Sequence, residues 1–143
     1  MKEIVKYSHC FVCGDQNPIG LKARFFQDKD RVISSLTAVS EFEGYRGIYH
    51  GGIIGTMLDE VMIKAILANG IFAVTAELNI RFKRPVTTGC KLQFSGWITE
   101  RKGRLFFTEG EATDESGTVY ATAAGKYVRA AGELGEQLQR SIE

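Results

Sequence analysis

The chain has no long apolar run, no charge excess of either sign and no even set of cysteines. A bilayer-spanning helix needs about 20 consecutive, mostly apolar residues, and no stretch here approaches that length. The opening MKEIVKYSHC has no apolar core, so no secretory signal is expected. Eighteen Lys and Arg against 17 Asp and Glu give a net charge of +1. That balance excludes bulk attraction to nucleic acid or to an anionic membrane, so a polyanionic ligand would have to be met by local basic groups. Three cysteines argue against a disulfide framework and predict a reducing, cytoplasmic setting. Cys10-x-x-Cys13 has His9 beside it, but no second Cys-x-x-Cys or His pair follows, and Cys90 and His50 are the only other candidates. A closed zinc site takes four ligands. The expectation is two small, half-buried thiols in a turn and no stoichiometric metal, with metal or redox work as the alternative.

What is present suits one globular domain over residues 1–143, with volume for a sizeable core. There is no internal repeat and no sign of a second domain. Residues 1–21 are irregular, with turns at Asn17-Pro18 and Gly20. Residues 22–27 and 31–39 predict two strands around the polar turn Asp28-Lys29-Asp30. A long helix is expected from Gly51 to about Asn69, stopped at Asn69-Gly70. From residue 71 the period changes to two: 71–83, 91–101, 105–114 and 119–129 are rich in Val, Ile, Thr, Phe and Tyr and predict strands. Residues 130–143 carry Gly132 and Gly135 among charges and predict a flexible tail or a short surface helix. Short strands, one long helix and a meander of strands make an α+β domain, an antiparallel sheet around one helix.

The stretch that organises the rest is GYRGIYHGGIIGTMLDEVMIKA, Gly44 to Ala65. Ile54, Met57/Leu58, Val61, Met62 and Ala65 recur at helical spacing and mark the core face. Gly52, Thr56, Asp59 and Ile63 form the neighbouring stripe, which places Asp59 about two turns into the helix on an otherwise uncharged face. Bare glycines at a helix start let a ligand approach free backbone N–H groups, where the helix dipole favours negative charge. An acid further along that face could attack, or activate water to attack, whatever those groups hold. This is the outline of an acyl-transfer site. Glu60 points about 100° away from Asp59 and cannot share its pocket, so it is expected to be structural or at an interface.

His50-Gly51-Gly52 followed by Asp59, with Gly44-Tyr45-x-Gly47 before it, resembles the central-helix motif of hot-dog-fold acyl-CoA thioesterases of the phenylacetyl-CoA thioesterase (PaaI-like) type. CFVCGDQNPIGL (Cys10 to Leu21) and ELNIRFKRPVTTG (Glu77 to Gly89) are similar to the segments flanking that motif in such proteins, so the resemblance spans about residues 9–129. It implies a sheet of five to six strands wrapped around the helix, assembled as a homodimer or a dimer of dimers whose active sites take residues from both chains. It implies hydrolysis of an acyl-CoA to a free acid and coenzyme A, with no cofactor beyond the coenzyme A of the substrate. Gly51 and Gly52 would hold the carbonyl oxygen, as preorganised N–H donors do for a developing oxyanion. Asp59 would act as nucleophile or general base, His50 would orient the thioester, and Thr75 would hold the water. Thr56 lines the same face. Arg81, Lys83 and Arg84 are candidates for the coenzyme A phosphates.

The same residues also have structural readings. Asp59 could be a solvated helix acid, His50 a closure of the helix start, the glycines a packing contact, Thr75 an ordinary strand residue and the basic trio edge-strand charges. Phe94, Trp97, Phe106 and Phe107 are expected in the core. Where the family usually carries Asn or Gln to hold substrate or water, this sequence has Gly44. That departure favours the rival reading, a non-catalytic acyl-CoA-binding or sensing protein. A hot-dog hydratase or dehydratase ranks last, because its Asp-x4-His arrangement is missing: Tyr45 lies five before His50.

Overall fold

A computed structural model describes residues 1–142. Its elements are β1 (Lys2–Glu3), β2 (Phe26–Asp28), β3 (Arg31–Thr37), α1 (Gly51–Leu67), β4 (Ala73–Phe82), β5 (Lys91–Lys102), β6 (Leu105–Thr113), β7 (Val119–Arg129) and α2 (Gly132–Arg140). All strands join one antiparallel sheet in the order β1-β2-β3-β5-β6-β7-β4, folded around α1. This is the hot-dog arrangement, with seven strands rather than five or six. The extra strand is the two-residue β1, which pairs Lys2 with Gln27 and Glu3 with Phe26 inside a segment expected to be irregular. Of the two readings of the C-terminal stretch, the short surface helix is found as α2, and beyond it the Ser8 amide donates to the Ser141 carbonyl at 3.0 Å. Glu143 lies outside the described residues.

The helix forms where its apolar spacing requires, and it ends two residues short of Asn69-Gly70, where Gly70 takes a positive φ of 74°. Met57, Leu58, Val61, Met62 and Ile66 are fully buried against the sheet, each contributing about 1.5–3 kcal/mol relative to exposure. The seat is made by two glycines directly opposite each other, Gly96 on β5 and Gly110 on β6. A Cβ on Gly96 would lie 2.8 Å from the Val61 carbonyl oxygen, and one on Gly110 would lie 3.2 Å from Met62 Cγ. The helix backbone therefore touches the sheet directly. On β7, alternation sends Ala121, Ala123 and Tyr127 inward. Among the expected core aromatics, Phe94 and Phe106 are buried, while Trp97 and Phe107 are half-exposed. Beside Trp97, the Arg31 guanidinium stacks 4.1 Å from the ring centroid.

The second face of α1 carries an unusual buried cluster. Lys64 is 0% exposed. Its ammonium donates to the Val5 carbonyl at 2.8 Å and to Cys13 Sγ at 3.4 Å, pairs with Glu60 at 3.6 Å, and lies 4.9 Å from the Tyr7 ring centroid. Glu60 is thus structural, as expected of it. Cys13 is fully buried, more so than the half-buried thiol expected, while Cys10 stays partly accessible.

Two predictions follow from this packing. Gly96→Ala should destabilise the fold by about 1–3 kcal/mol, the usual cost of overpacking, and lower the thermal midpoint; an unchanged midpoint would mean that α1 does not seat at Gly96. The second concerns pH. Burial first, and then the Cys10 sulfur charge, push the Glu60 carboxyl up to about 7 from its ordinary 4.5. The folded state then binds more protons than the unfolded state between those values, so stability is greatest below the unfolded value and falls as pH rises through about 7. Each unit of separation is worth about 1.4 kcal/mol. Urea denaturation across this window should show the fall, and Glu60→Gln should flatten it.

Candidate active site

His50 is the N-cap of α1, and its Nδ1 accepts the Gly52 N–H at 2.9 Å. That bond fixes the tautomer with hydrogen on Nε2. It also takes the Gly52 amide out of the set available to a ligand. The Gly51 N–H, at the first turn, has no protein partner among the described residues. The two-amide cradle expected of Gly51 and Gly52 is therefore a single free amide at Gly51, because the cap uses the other. Both glycines leave close room for their neighbours: a Cβ on Gly51 would lie 3.3 Å from Phe82 Cε1, and one on Gly52 would lie 3.1 Å from His50 Nδ1.

Asp59 lies further along the same side. Its Oδ1 accepts from Thr75 Oγ1 at 3.0 Å and from Tyr127 Oη at 2.8 Å, which leaves Oδ2 without a protein donor among the described residues. Tyr127 also reaches the Asp59 carbonyl at 3.2 Å. Its phenol is held far above its ordinary range, first by burial and then by the Asp59 charge, so it stays protonated and can donate to Asp59. Thr75 reaches Asp59 because β4 is bulged between Thr75 and Glu77. The extra residue reverses the alternation, so Leu78, Ile80 and Phe82 join Thr75 on the helix side, while Asn79 and Arg81 face the other way.

Two cavities meet at His50, Gly51 and Phe82. The smaller one, about 520 Å³ and open to solvent, is bounded by His50, Gly51, Thr56 and Asp59 at the helix and by Leu78 and Ile80 on β4. Thr56 lines it, but its hydroxyl already donates to the Gly52 carbonyl at 2.8 Å. The other, about 720 Å³, includes Gly44, Tyr49, Lys83 and Arg84. Arg81 does not join Lys83 there, contrary to the strand alternation. The strand ends at Phe82, and the amides of both Lys83 and Arg84 turn to the Tyr120 carbonyl, at 2.8 and 3.2 Å. Arg81 instead lines a separate hollow on the outer sheet face with Trp97 and Glu109.

Tyr127 is the site residue that the sequence reading missed. Two signals pointed to it: it shares strand parity with the small inward residues Ala121, Ala123 and Gly125, and it pairs in register with Thr75. The sequence-expected group His50, Gly51, Gly52, Thr56, Asp59 and Thr75 lies along one side of the N-terminal half of α1, with Gly44, Lys83 and Arg84 in the adjoining cavity. For a metal, the nearest donor set is Cys10, Cys13 and Glu60, whose ligand atoms lie within 4.8 Å of one another. Those donors already hold the Lys64 ammonium, so they do not fit a divalent cation without evicting it.

Comparison with known proteins bears on the fold and the family. Acyl-coenzyme A thioesterase THEM4 of Bos taurus is 27% identical over 131 residues, which is 90% of this chain and 54% of that protein. The chain thus spans about half the length of the curated relatives it matches. A crystal structure of a thioesterase superfamily protein superposes with a TM-score of 0.80 at 25% identity, covering 87% of this chain and 69% of that one. A Streptococcus mutans UA159 protein bound to acetyl CoA has the same fold, with a TM-score of 0.70 at 21% identity over 75% of this chain and 87% of that one. The model of the thioesterase superfamily matches residues 46–121, more than half of the chain and all of the helix that carries the site: the protein belongs to the thioesterase superfamily.

Proposed function

We propose that this chain hydrolyses an acyl-CoA thioester to a free carboxylic acid and coenzyme A. The observation that carries the reading is Asp59, held by Thr75 and Tyr127 in a cavity that also receives the one unpaired amide of the helix start. In this scheme the thioester carbonyl lies at Gly51, whose N–H and the helix dipole stabilise the charge that develops on oxygen. Thr75 donates its hydrogen to Asp59 and keeps its oxygen to accept from a water. Asp59 takes that water's proton as it attacks, and the tetrahedral intermediate collapses with departure of the coenzyme A thiolate. The His50 Nε2–H orients the thioester. Lys83 and Arg84, in the adjoining cavity, are placed to meet coenzyme A phosphates. Support for the substrate class comes from the THEM4 relative, named an acyl-coenzyme A thioesterase, and from the similar structure that holds acetyl CoA. The steps need no metal or redox cofactor.

The rival, a binder without turnover, is favoured by Gly44 alone. Release of free thiol from a panel of acyl-CoAs, followed with a thiol-reactive dye, separates the two. Asp59→Asn keeps size but loses the base, so turnover should drop by at least about 10²-fold while acyl-CoA binding persists. Glu60→Gln, on the other side of the helix, should keep most of the rate. Equal turnover in wild type and Asp59→Asn would remove Asp59 from the mechanism.

We also propose a homodimer, or a dimer of dimers, joined along β4. This ten-residue strand ends the sheet with one edge unpaired, and it exposes Leu78 at 37% and Phe82 at 54%. Edges of that length are normally covered or blunted. Sedimentation at micromolar concentration should show no active monomer. No helix among the described residues is long and apolar enough to cross a membrane, and the three free cysteines suit a reducing cytoplasm.

A further inference from the structure

The buried cluster behind α1 has the parts of a thiol–disulfide exchange site, and hydrolysis uses none of them. The turn at residues 10–14, closed by the Gly14 N–H on the Cys10 carbonyl at 2.9 Å, folds Cys13 back toward Cys10. Cys10 Sγ accepts the backbone N–H groups of Val12 and Cys13 at 3.3 and 3.5 Å. With Glu60, Cys10 borders a cleft of about 400 Å³ whose walls include Tyr7, Ile63, Leu138 and Arg140. Cys13 is sealed beneath it, its thiol 3.8 Å from Glu60 Oε2 and 3.4 Å from the Lys64 ammonium. One thiol is open to a small molecule; the other is reachable only from within the protein.

We propose that Cys10 and Cys13 form a redox-active dithiol that exchanges with small anionic disulfides, with Cys10 attacking, Cys13 resolving and Glu60 receiving the Cys13 proton. Arg140 in the cleft supplies the charge that selects an anionic disulfide. The Cys10 thiolate attacks one sulfur of the disulfide, forming a mixed disulfide and expelling one thiolate. Cys13 gives its proton to the Glu60 carboxylate, and its sulfur, steadied by Lys64, attacks Cys10. The Cys10–Cys13 bond forms, the second small thiolate leaves, and both leaving thiolates are protonated from Glu60 and water. The protein dithiol is oxidised by two electrons, and the disulfide is reduced to two thiols. The proton equilibria run the same way. The neighbouring Cys13 side chain, with the two backbone donors, holds Cys10 well below the ordinary thiol range, whereas the same neighbour and burial hold Cys13 up. Glu60, pushed up to about 7, can accept a proton and return it near neutral pH.

The test uses reduced full-length protein and oxidised glutathione, followed by acid quench and peptide mass mapping. Wild type should lose two hydrogens with Cys10 and Cys13 joined and Cys90 free. Cys13→Ser should stop at one glutathione on Cys10, and Cys10→Ser should leave both remaining thiols unreacted on that timescale. In Glu60→Gln the mixed disulfide should persist about tenfold longer than in wild type; equal lifetimes would remove Glu60 from the resolving step. In wild type alone, the Cys10 rate should stay flat from about pH 6 to about pH 9, while Cys90 slows about tenfold per unit of acidification. Glutathione on Cys90 ahead of Cys10, a Cys10 rate that falls with acid like that of Cys90, or a wild-type adduct as long-lived as that of Cys13→Ser would each overturn the proposal. None of these readouts depends on thioester hydrolysis.

Discussion

The contact of the α1 backbone at Val61–Met62 with Gly96, beside the Met62 side chain seated over Gly110, sets the geometry of the rest. With no side chain between Val61 and Gly96, the helix cannot slide or rotate there without striking β5, since interiors are packed too densely to absorb such a shift. That fixed rotation divides two adjacent acids. Asp59 emerges toward β4 and β7, where two hydroxyls hold one oxygen and a cavity opens at the other. Glu60 emerges toward the N-terminal segment, where a buried ammonium and two thiols receive it. A few tens of degrees of helix rotation would bring both into neither place.

The second constraint is the irregularity in β4. A regular strand would put Thr75 and Leu78 on opposite faces; the bulge puts both on the helix side. It is also where the sheet ends, so the wall of the smaller cavity is an edge strand with unpaired backbone groups on its far side in the single chain. Such a wall is held on one flank only, by β7. Tyr127 therefore does more than orient Asp59. By bonding from β7 to the helix acid that Thr75 also grips, it joins β4, β7 and α1 through one carboxylate oxygen.

Apolar periodicity carries the helix and the long strands well, because burial decides both. Val119–Arg129 and the helix start at Gly51 coincide with the expected bounds. The elements that periodicity places poorly are those held by few contacts: the two-residue β1, the short β2, and α2, whose residues are not buried. At the site, spacing along one helix finds Asp59 and His50, since both lie on a single periodic element. It cannot find Tyr127, which is 68 residues away from its partner, nor the outward turn of Arg81, because a one-residue bulge and a strand end reverse parity without any change in hydrophobic pattern. The Cys-x-x-Cys turn was visible as a motif, but its meaning depended on Glu60 and Lys64, 47 and 51 residues away from Cys13.

Gly44 stands where the family resemblance leads one to expect an amide side chain, and the structure gives a physical reason for the glycine. A Cβ there would sit 3.3 Å from His50 Cδ2 and 3.6 Å from its Cγ, flat against the ring. The ring cannot retreat, because its Nδ1 is engaged by the Gly52 N–H and its backbone amide by the Phe42 carbonyl at 2.9 Å. A side chain at 44 and a capping His50 therefore compete for the same space. Here the cap wins, which leaves the Gly51 amide as the free donor and puts the space above Gly44 into the larger cavity. Replacing Gly44 by Asn would not restore the expected arrangement; it would press on the ring that caps the helix.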